Sequence, residues 1–128
     1  MKDIRSGLAA TVAVVPQVLA ATNTSSAIDL QGYGAALLVI ATGAIVSAGD
    51  YTAKLQESDT TTGGDFTDVA AADLLGSFST TLAENSVERI GYVGSKRYLR
   101  TIITKNSGTS IAASAVVMLG HPSDAPVV

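Results

Sequence analysis

Cysteine and tryptophan are both missing from this chain of 128 residues, and histidine occurs once. Without cysteine there can be no disulfide, no thiolate metal ligand and no cysteine nucleophile. A zinc site built from several histidines is also excluded, because only one imidazole is present. These absences argue against most enzyme classes, so we expect no catalytic residue, no metal site and no cofactor.

The single histidine, His121, is followed directly by Pro122 near the C-terminal end. A Ser-His-Asp arrangement would have to be built on this one residue, and the sequence lacks the G-x-S-x-G context of such a nucleophile. The glycines of "GYVGSK" (91–96) do not have the spacing of a phosphate-binding loop. We therefore interpret His121 as a solvated residue of a C-terminal tail.

Charged residues are scarce as well, at 15% of the chain against roughly 25% in an ordinary soluble domain. Hydrophobic residues make up 47%, but aromatic residues only 5%, so much of this apolar content is alanine and valine. Such side chains bury little area each, and we expect contacts between subunits to add to the core. A surface rich in serine and threonine is the alternative explanation of the low charge.

The first 21 residues, "MKDIRSGLAATVAVVPQVLAA", have early charges followed by an apolar run, as a secretory signal does. Asp3 and Pro16 are unusual in such a signal, and the run is shorter than the ~20 residues of a membrane span. We interpret residues 1–10 as an N-terminal arm, followed by a first strand near Thr11–Val15. Cleavage of this segment, which would make the protein secreted, is the alternative.

Most of the remaining chain consists of short segments with strand periodicity, separated by turn residues. "DYTAKLQESD" (50–59) alternates an inward set with an outward set that includes Gln56, whereas "AALLVIATG" (35–43) is apolar almost throughout and is predicted to be buried on both faces. The pattern predicts an all-β fold, a single antiparallel β-sandwich or jelly roll of about seven or eight strands over residues 11–120. Residues 121–128, which contain two of the three prolines, are predicted to form an extended C-terminal tail.

An acidic loop, "ESDTTTGGDFTD" (57–68), offers the oxygen ligands that calcium prefers. Its four carboxylates, Glu57, Asp59, Asp65 and Asp68, do not have the spacing of an EF-hand loop. The glycine pair between them is explained by a turn. We therefore interpret this segment as a solvated loop.

Charge is segregated along the chain. From Asp29 to Glu88 there are nine acidic residues and one cation, which gives −8, whereas residues 89–105 hold five cations and no acid, which gives +5. We interpret the basic segment as a strand hairpin with Lys96 and Arg97 near its turn. The chain as a whole is acidic, with net charge −3, so recognition of a protein is favoured over nucleic acid, and solvated surface cations are the alternative.

Three segments resemble one known family. They are "AIDLQGYGAALLVIATG" (27–43), "RIGYVGSKRYLRTIIT" (89–104) and "SAVVMLGHPSDAP" (114–126). The last two are similar to a Y-V-G-x-K-R-Y-(L/V)-R segment and an LGHPxxAP end in the small head-decoration, or cement, proteins of tailed bacteriophages and prophages. The similarity covers most of residues 25–126, while the first 20 residues and the loop at 57–75 match weakly.

This resemblance implies a non-enzymatic β-sandwich that is made in the host cytoplasm, forms dimers or trimers and binds the outer surface of the capsid. Its partners would be the major capsid protein and further copies of itself, with no nucleic acid and no membrane. The expected contact residues are basic: Lys2, Arg5, Arg89, Lys96, Arg97 and Arg100. Another head or tail subunit is one alternative, and a carbohydrate-binding adhesin is a second, although six aromatic residues without tryptophan are few for sugar platforms.

Overall fold

Strands account for nearly all the regular structure of this chain. The structure, a computed structural model, describes residues 2–123. Within them the strands are β1 (Ala9–Leu19), β2 (Asn23–Thr24), β3 (Ile28–Asp29), β4 (Tyr33–Val46), β5 (Asp50–Ser58), β6 (Thr67–Asp68), β7 (Leu74–Leu75), β8 (Val87–Tyr92), β9 (Tyr98–Ser107) and β10 (Ser110–Pro122). Three single 3-10 turns accompany them, at Arg5–Gly7, Gly63–Asp65 and Ala71–Asp73.

The strands form two antiparallel sheets that pack face to face. Sheet A has the order β1-β10-β4-β8-β7, and sheet B has the order β2-β9-β5-β6 with β3 also paired to β9. The prediction of an all-β antiparallel sandwich is confirmed. The predicted number of strands was too low because β2, β3, β6 and β7 have only two residues each, too few for a periodic pattern.

The core lies between the sheets and is built from every second residue of the long strands. Leu38 and Ile40 of β4, Val117 of β10 and Ile103 of β9 are all at most 2% exposed. Tyr51 of β5 is fully buried and its hydroxyl donates to the carbonyl of Leu19 at 2.8 Å, which satisfies its one polar atom. Small and β-branched side chains thus fill the interior with few aromatic rings.

Two tight connections carry the chain between the sheets at one end of the sandwich. The first, between β4 and β5, has positive φ angles at Ser47 and Ala48. The second, between β9 and β10, contains Gly108 with φ of 78°. A side chain at Gly108 would collide with the backbone of Ala48 and Gly49, so glycine is required where the two connections touch.

The basic hairpin predicted over residues 89–105 is wrong. Strand β8 pairs with β4 and β7 in sheet A, whereas β9 pairs with β2, β3 and β5 in sheet B. Residues 93–97 therefore cross from one sheet to the other and do not form a hairpin turn. In a hairpin, β8 and β9 would pair with each other. Each has a longer partner elsewhere, because β4 is longer than β9 and β5 is longer than β8, so each half of the basic segment joins a different sheet.

The strands at both ends of the chain extend past the predicted domain bounds of 11–120. Strand β1 begins at Ala9 and includes the predicted first strand, and β10 continues to Pro122. His121 and Pro122 thus belong to a strand, and the remainder of the predicted tail, 124–128, lies outside the described residues. The division into an arm, a domain and a tail stays a prediction.

Candidate functional site

The six cations predicted to contact a partner do not form one cluster. They lie in the N-terminal segment (Lys2 and Arg5), on β8 (Arg89), in the connection between β8 and β9 (Lys96 and Arg97) and on β9 (Arg100). The residues flanking Arg89 and Arg100 in the core, Ile90 and Leu99, are each 1% exposed. Both arginines therefore point outward, on opposite faces of the sandwich.

Arg97 is held by an aspartate of the same chain. Its Nε donates to Oδ1 of Asp29 at 3.0 Å and its Nη2 to Oδ2 at 2.9 Å, in a two-pronged pair. This hydrogen bonding, helped by the backbone N–H of Gln31, holds the pKa of Asp29 below its ordinary value. The guanidinium also lies 5.0 Å from the ring centre of Tyr98. Arg97 thus fastens β3 to the start of β9 while about half of its side chain stays exposed.

Lys96 has an internal partner as well. Its Nζ lies 2.9 Å from Oδ2 of Asp59, and its backbone N–H donates to the hydroxyl of Tyr92 at 3.0 Å. That hydroxyl donates in turn to Oε1 of Glu57 at 2.7 Å. Burial, followed by the bond to Glu57, raises the pKa of Tyr92 above its ordinary value, so the phenol stays a donor. The connection between β8 and β9 is therefore tied to the end of β5.

Arg100 belongs to a polar network on the outer face of sheet B. Its Nε donates to Oε1 of Gln56 at 2.8 Å, and Nε2 of Gln56 donates to Oδ1 of Asp68 at 2.8 Å. Lys54 Nζ lies 3.2 Å from the same Asp68 oxygen, and the Arg100 guanidinium lies 4.4 Å from the ring centre of Phe66. The hydrogen bond from Gln56 contributes most to lowering the pKa of Asp68, and the one from Lys54 contributes next. Gln56 points outward as predicted, yet it is only 8% exposed because its neighbours cover it.

The outer face of sheet A is entirely different. We call it the apolar face, and its strand residues are Ala10, Val12, Val18, Leu37, Val39, Ala41, Leu75, Val87, Arg89, Gly91, Ala112, Ser114, Val116 and Met118. The register aligns them in rows across the strands, one of which is Val12, Val116, Val39 and Arg89. Val12, Val18, Leu75 and Val87 are 53–70% exposed. A sheet face of this composition ordinarily packs against another layer.

Arg89 is the one charged residue among those that define the apolar face. Within residues 2–123 it takes part in no ion pair and no side-chain hydrogen bond, in contrast to Lys96, Arg97 and Arg100. The preceding residue of β8, Glu88, points to the opposite face of the strand, and its Oε1 accepts a hydrogen bond from the backbone N–H of Ser79 at 2.7 Å. Arg89 is therefore an unpaired cation at the β8 edge of the apolar face.

The prediction that residues 35–43 are buried on both faces is wrong. Ala36, Leu38 and Ile40 are buried, while Leu37 and Val39 are partly exposed and Ala41 is exposed. Both alternating sets of β4 are apolar, so the sequence pattern could not distinguish the core side from the open side. The signal that does point to this surface is the low charged fraction of the chain, which already suggested a partly covered exterior.

The four carboxylates considered for calcium have separate partners. Glu57 accepts from Tyr92, Asp59 pairs with Lys96, Asp65 accepts from the hydroxyl of Thr60 at 2.7 Å, and Asp68 pairs with Lys54 and Gln56. Among residues 2–123 no three metal-binding side chains come together as a site. Residues 2–123 contain no helix with the length and apolar character that a membrane span requires.

Comparison with known proteins gives similarity at the level of the fold. No protein-family model and no curated protein sequence matches the chain. A crystal structure of the infectious bursal disease virus VP2 subviral particle is similar, with a TM-score of 0.53 and 9% identity. The match covers 91% of this chain and 32% of the VP2 chain, so this chain spans about a third of that protein.

A second similar structure is the crystal structure of YomS, a protein derived from the SPBc2 prophage. Its TM-score is 0.49 and its identity is 8%, with 92% of this chain and 98% of YomS covered. Identities this low describe the fold alone, and the family resemblance of the sequence motifs stays a prediction.

Proposed function

We propose that this chain is a structural subunit of a virion, a decoration protein that binds the outside of a phage head and bridges neighbouring major capsid proteins. The observation that carries the proposal is the apolar face, a sheet surface whose outward strand residues include a single charged side chain. A monomer in water gains nothing from such a surface, whereas a subunit that is covered in an assembly is stabilised by it.

Two further observations support the proposal. The sequence motifs at 89–104 and 114–126 resemble those of head-decoration proteins. The fold is similar to that of about a third of VP2, a protein whose crystal structure is that of a subviral particle. All six aromatic rings of the chain are at least partly buried, which gives a sugar-binding adhesin no open ring platform.

The proposed mechanism is mechanical. Each copy would bury apolar area against two adjacent capsid subunits, so separation of those subunits would expose that area to water. The bridge opposes the outward pressure of packaged DNA without any chemical step. Lys2, Arg5, Lys96, Arg97 and Arg100 stay proposed contacts, although the last three also have partners within the chain.

The test is co-sedimentation of the purified protein with heads of the phage that encodes it, produced from a mutant that lacks the gene for this chain. We expect saturable binding in many copies per head, and heads that resist heat better after binding. Heads already carrying the protein serve as the control because their sites are filled. Absence of binding to the empty sites would overturn the proposed function, and binding only at a single vertex or the tail would favour a head-completion or tail subunit.

A further inference from the structure

We propose that the apolar face is the surface that docks on the capsid shell, and that Arg89 pairs there with a carboxylate of the shell protein. This inference rests on the proposed function and specifies which surface performs it. It replaces the idea of a basic hairpin, because the cations of that segment are dispersed over different faces and most are already paired.

The size of the apolar face sets how much of an interface it can supply. Its fourteen strand residues occupy positions of about 4.8 by 6.8 Å each, and the face narrows along its length because β7 pairs with only two residues of β8. The flat area is therefore roughly 460 Å² on this partner, or roughly 900 Å² for both partners. Specific interfaces bury about 1,200–2,000 Å² in total, so this face supplies most of the area of the smallest such contact and the segments beside it supply the remainder.

The charge on the face indicates the kind of partner. The strand residues that define it include one arginine and no carboxylate. If a second copy packed with the same face, its strands would offer Arg89 no anion, and an arginine that is buried without a partner is costly. The complementary surface is therefore apolar and carries a carboxylate opposite Arg89.

A carboxylate of this chain that lies beside the apolar face does not alter that conclusion. Asp3 borders the end of the apolar face in a groove that Leu37 and Met118 also line. Its Oδ1 accepts hydrogen bonds from the backbone N–H groups of Arg5 and Ser6 at 2.8 and 3.3 Å. The Ser6 side chain contributes most to lowering the pKa of Asp3, and these two N–H groups lower it further. Asp3 thus serves the N-terminal turn, and Arg89 lies one row further along, on β8.

Three substitutions test the inference in the head-binding assay. Val116→Glu places a charge in the centre of the apolar face, and Arg89→Glu reverses its single charge. Each is expected to weaken head binding by roughly 30-fold or more, since breaking a desolvated charge pair or burying an unpaired charge has such effects. Ile102→Glu is the matched control, because Ile102 lies on the outer face of sheet B opposite Lys54 and should leave binding unchanged.

The outcomes separate this inference from the proposed function. If the Val116→Glu and Arg89→Glu variants both bind heads as tightly as the wild type does, the apolar face is not the docking surface. The proposed decoration function would still stand. Circular dichroism melting of each variant identifies a folding defect, and Arg89→Glu at an exposed site provides the test if Val116→Glu unfolds. If light scattering shows that Val116→Glu turns a wild-type oligomer into a monomer that still binds heads, a second copy covers the face and the inference is wrong.

Discussion

The two outer faces of this sandwich have the same alternating strand geometry but opposite chemistry. On sheet B, Arg100, Gln56, Asp68 and Lys54 satisfy one another, so this face is complete within a single chain. On sheet A, valine, leucine and methionine face outward beside the unpaired Arg89. The polar groups of one face are thus satisfied within the chain, whereas the other face leaves apolar side chains and one cation open to the proposed partner.

The energetic scale of the apolar face supports this distinction. Removing roughly 460 Å² of mostly apolar surface from water is worth at most about 12 kcal/mol at ~25 cal/mol per Å². Association itself costs about 4–15 kcal/mol in lost freedom, so the net gain is much smaller. Many copies bound at equivalent positions would still add appreciable stability to a shell.

The largest expected effect separates the inside of sheet A from its outside. Leu38→Ala should lower the free energy of unfolding by about 2–5 kcal/mol, because Leu38 is 2% exposed and leaves a cavity. Val39→Ala, at the next residue but on the apolar face, should cost less than about 1 kcal/mol. Urea denaturation of both variants measures the contrast. Equal losses would mean that the apolar face is part of the folding core.

A smaller loss is expected from the network on sheet B. Gln56→Leu removes the bonds to Arg100 and Asp68 at a position that is only 8% exposed. Leaving these groups without a partner should cost about 1–3 kcal/mol. The urea midpoint of this variant, compared with that of Ile102→Leu on the same face, provides the measurement. An unchanged midpoint would show that sheet B does not depend on its internal bonds.

A still smaller effect, with a characteristic pH dependence, is expected for the pair of Arg97 and Asp29. The pKa of Asp29 is lowered in the folded state, so its contribution is fully present above the ordinary value of 3.8 and is lost as pH falls through the lowered value. Arg97→Gln should therefore lower Tm at pH 7 and cease to matter in strongly acidic solution. Thermal melts of wild type and variant across pH measure this difference. A gap in Tm that persists at all pH values would contradict the charge pairing.

The smallest effect on folding is expected where the two outer faces are compared directly. Val116→Glu and Ile102→Glu should each change the free energy of unfolding of the isolated chain by less than about 0.5 kcal/mol. Only Val116→Glu should increase solubility and reduce non-specific self-association, because it interrupts the apolar face. Ammonium sulfate precipitation compares the two. Identical solubility would mean that the apolar face is not the adhesive surface.

The sequence predicted the sandwich well where only one alternating set of a strand is apolar. In β5 the inward set, which includes Tyr51, could be identified directly because the outward set, with Lys54 and Gln56, is polar. In β4 both sets are apolar, so the open side of this strand was mistaken for core. The sequence pattern also could not predict which strands pair. No residue near β8 or β9 indicates that these two consecutive strands belong to different sheets. Arg89 was among the expected contact residues, but its isolation on an apolar surface became evident only from the strand register.

The most direct test of the account is a cryo-electron microscopy reconstruction of heads saturated with this protein. We expect added density on the outer surface of the shell, with the strands of sheet A facing capsid subunits and Arg89 beside a carboxylate. Heads on which sheet A faces solvent, or a shell without added density, would contradict this expectation.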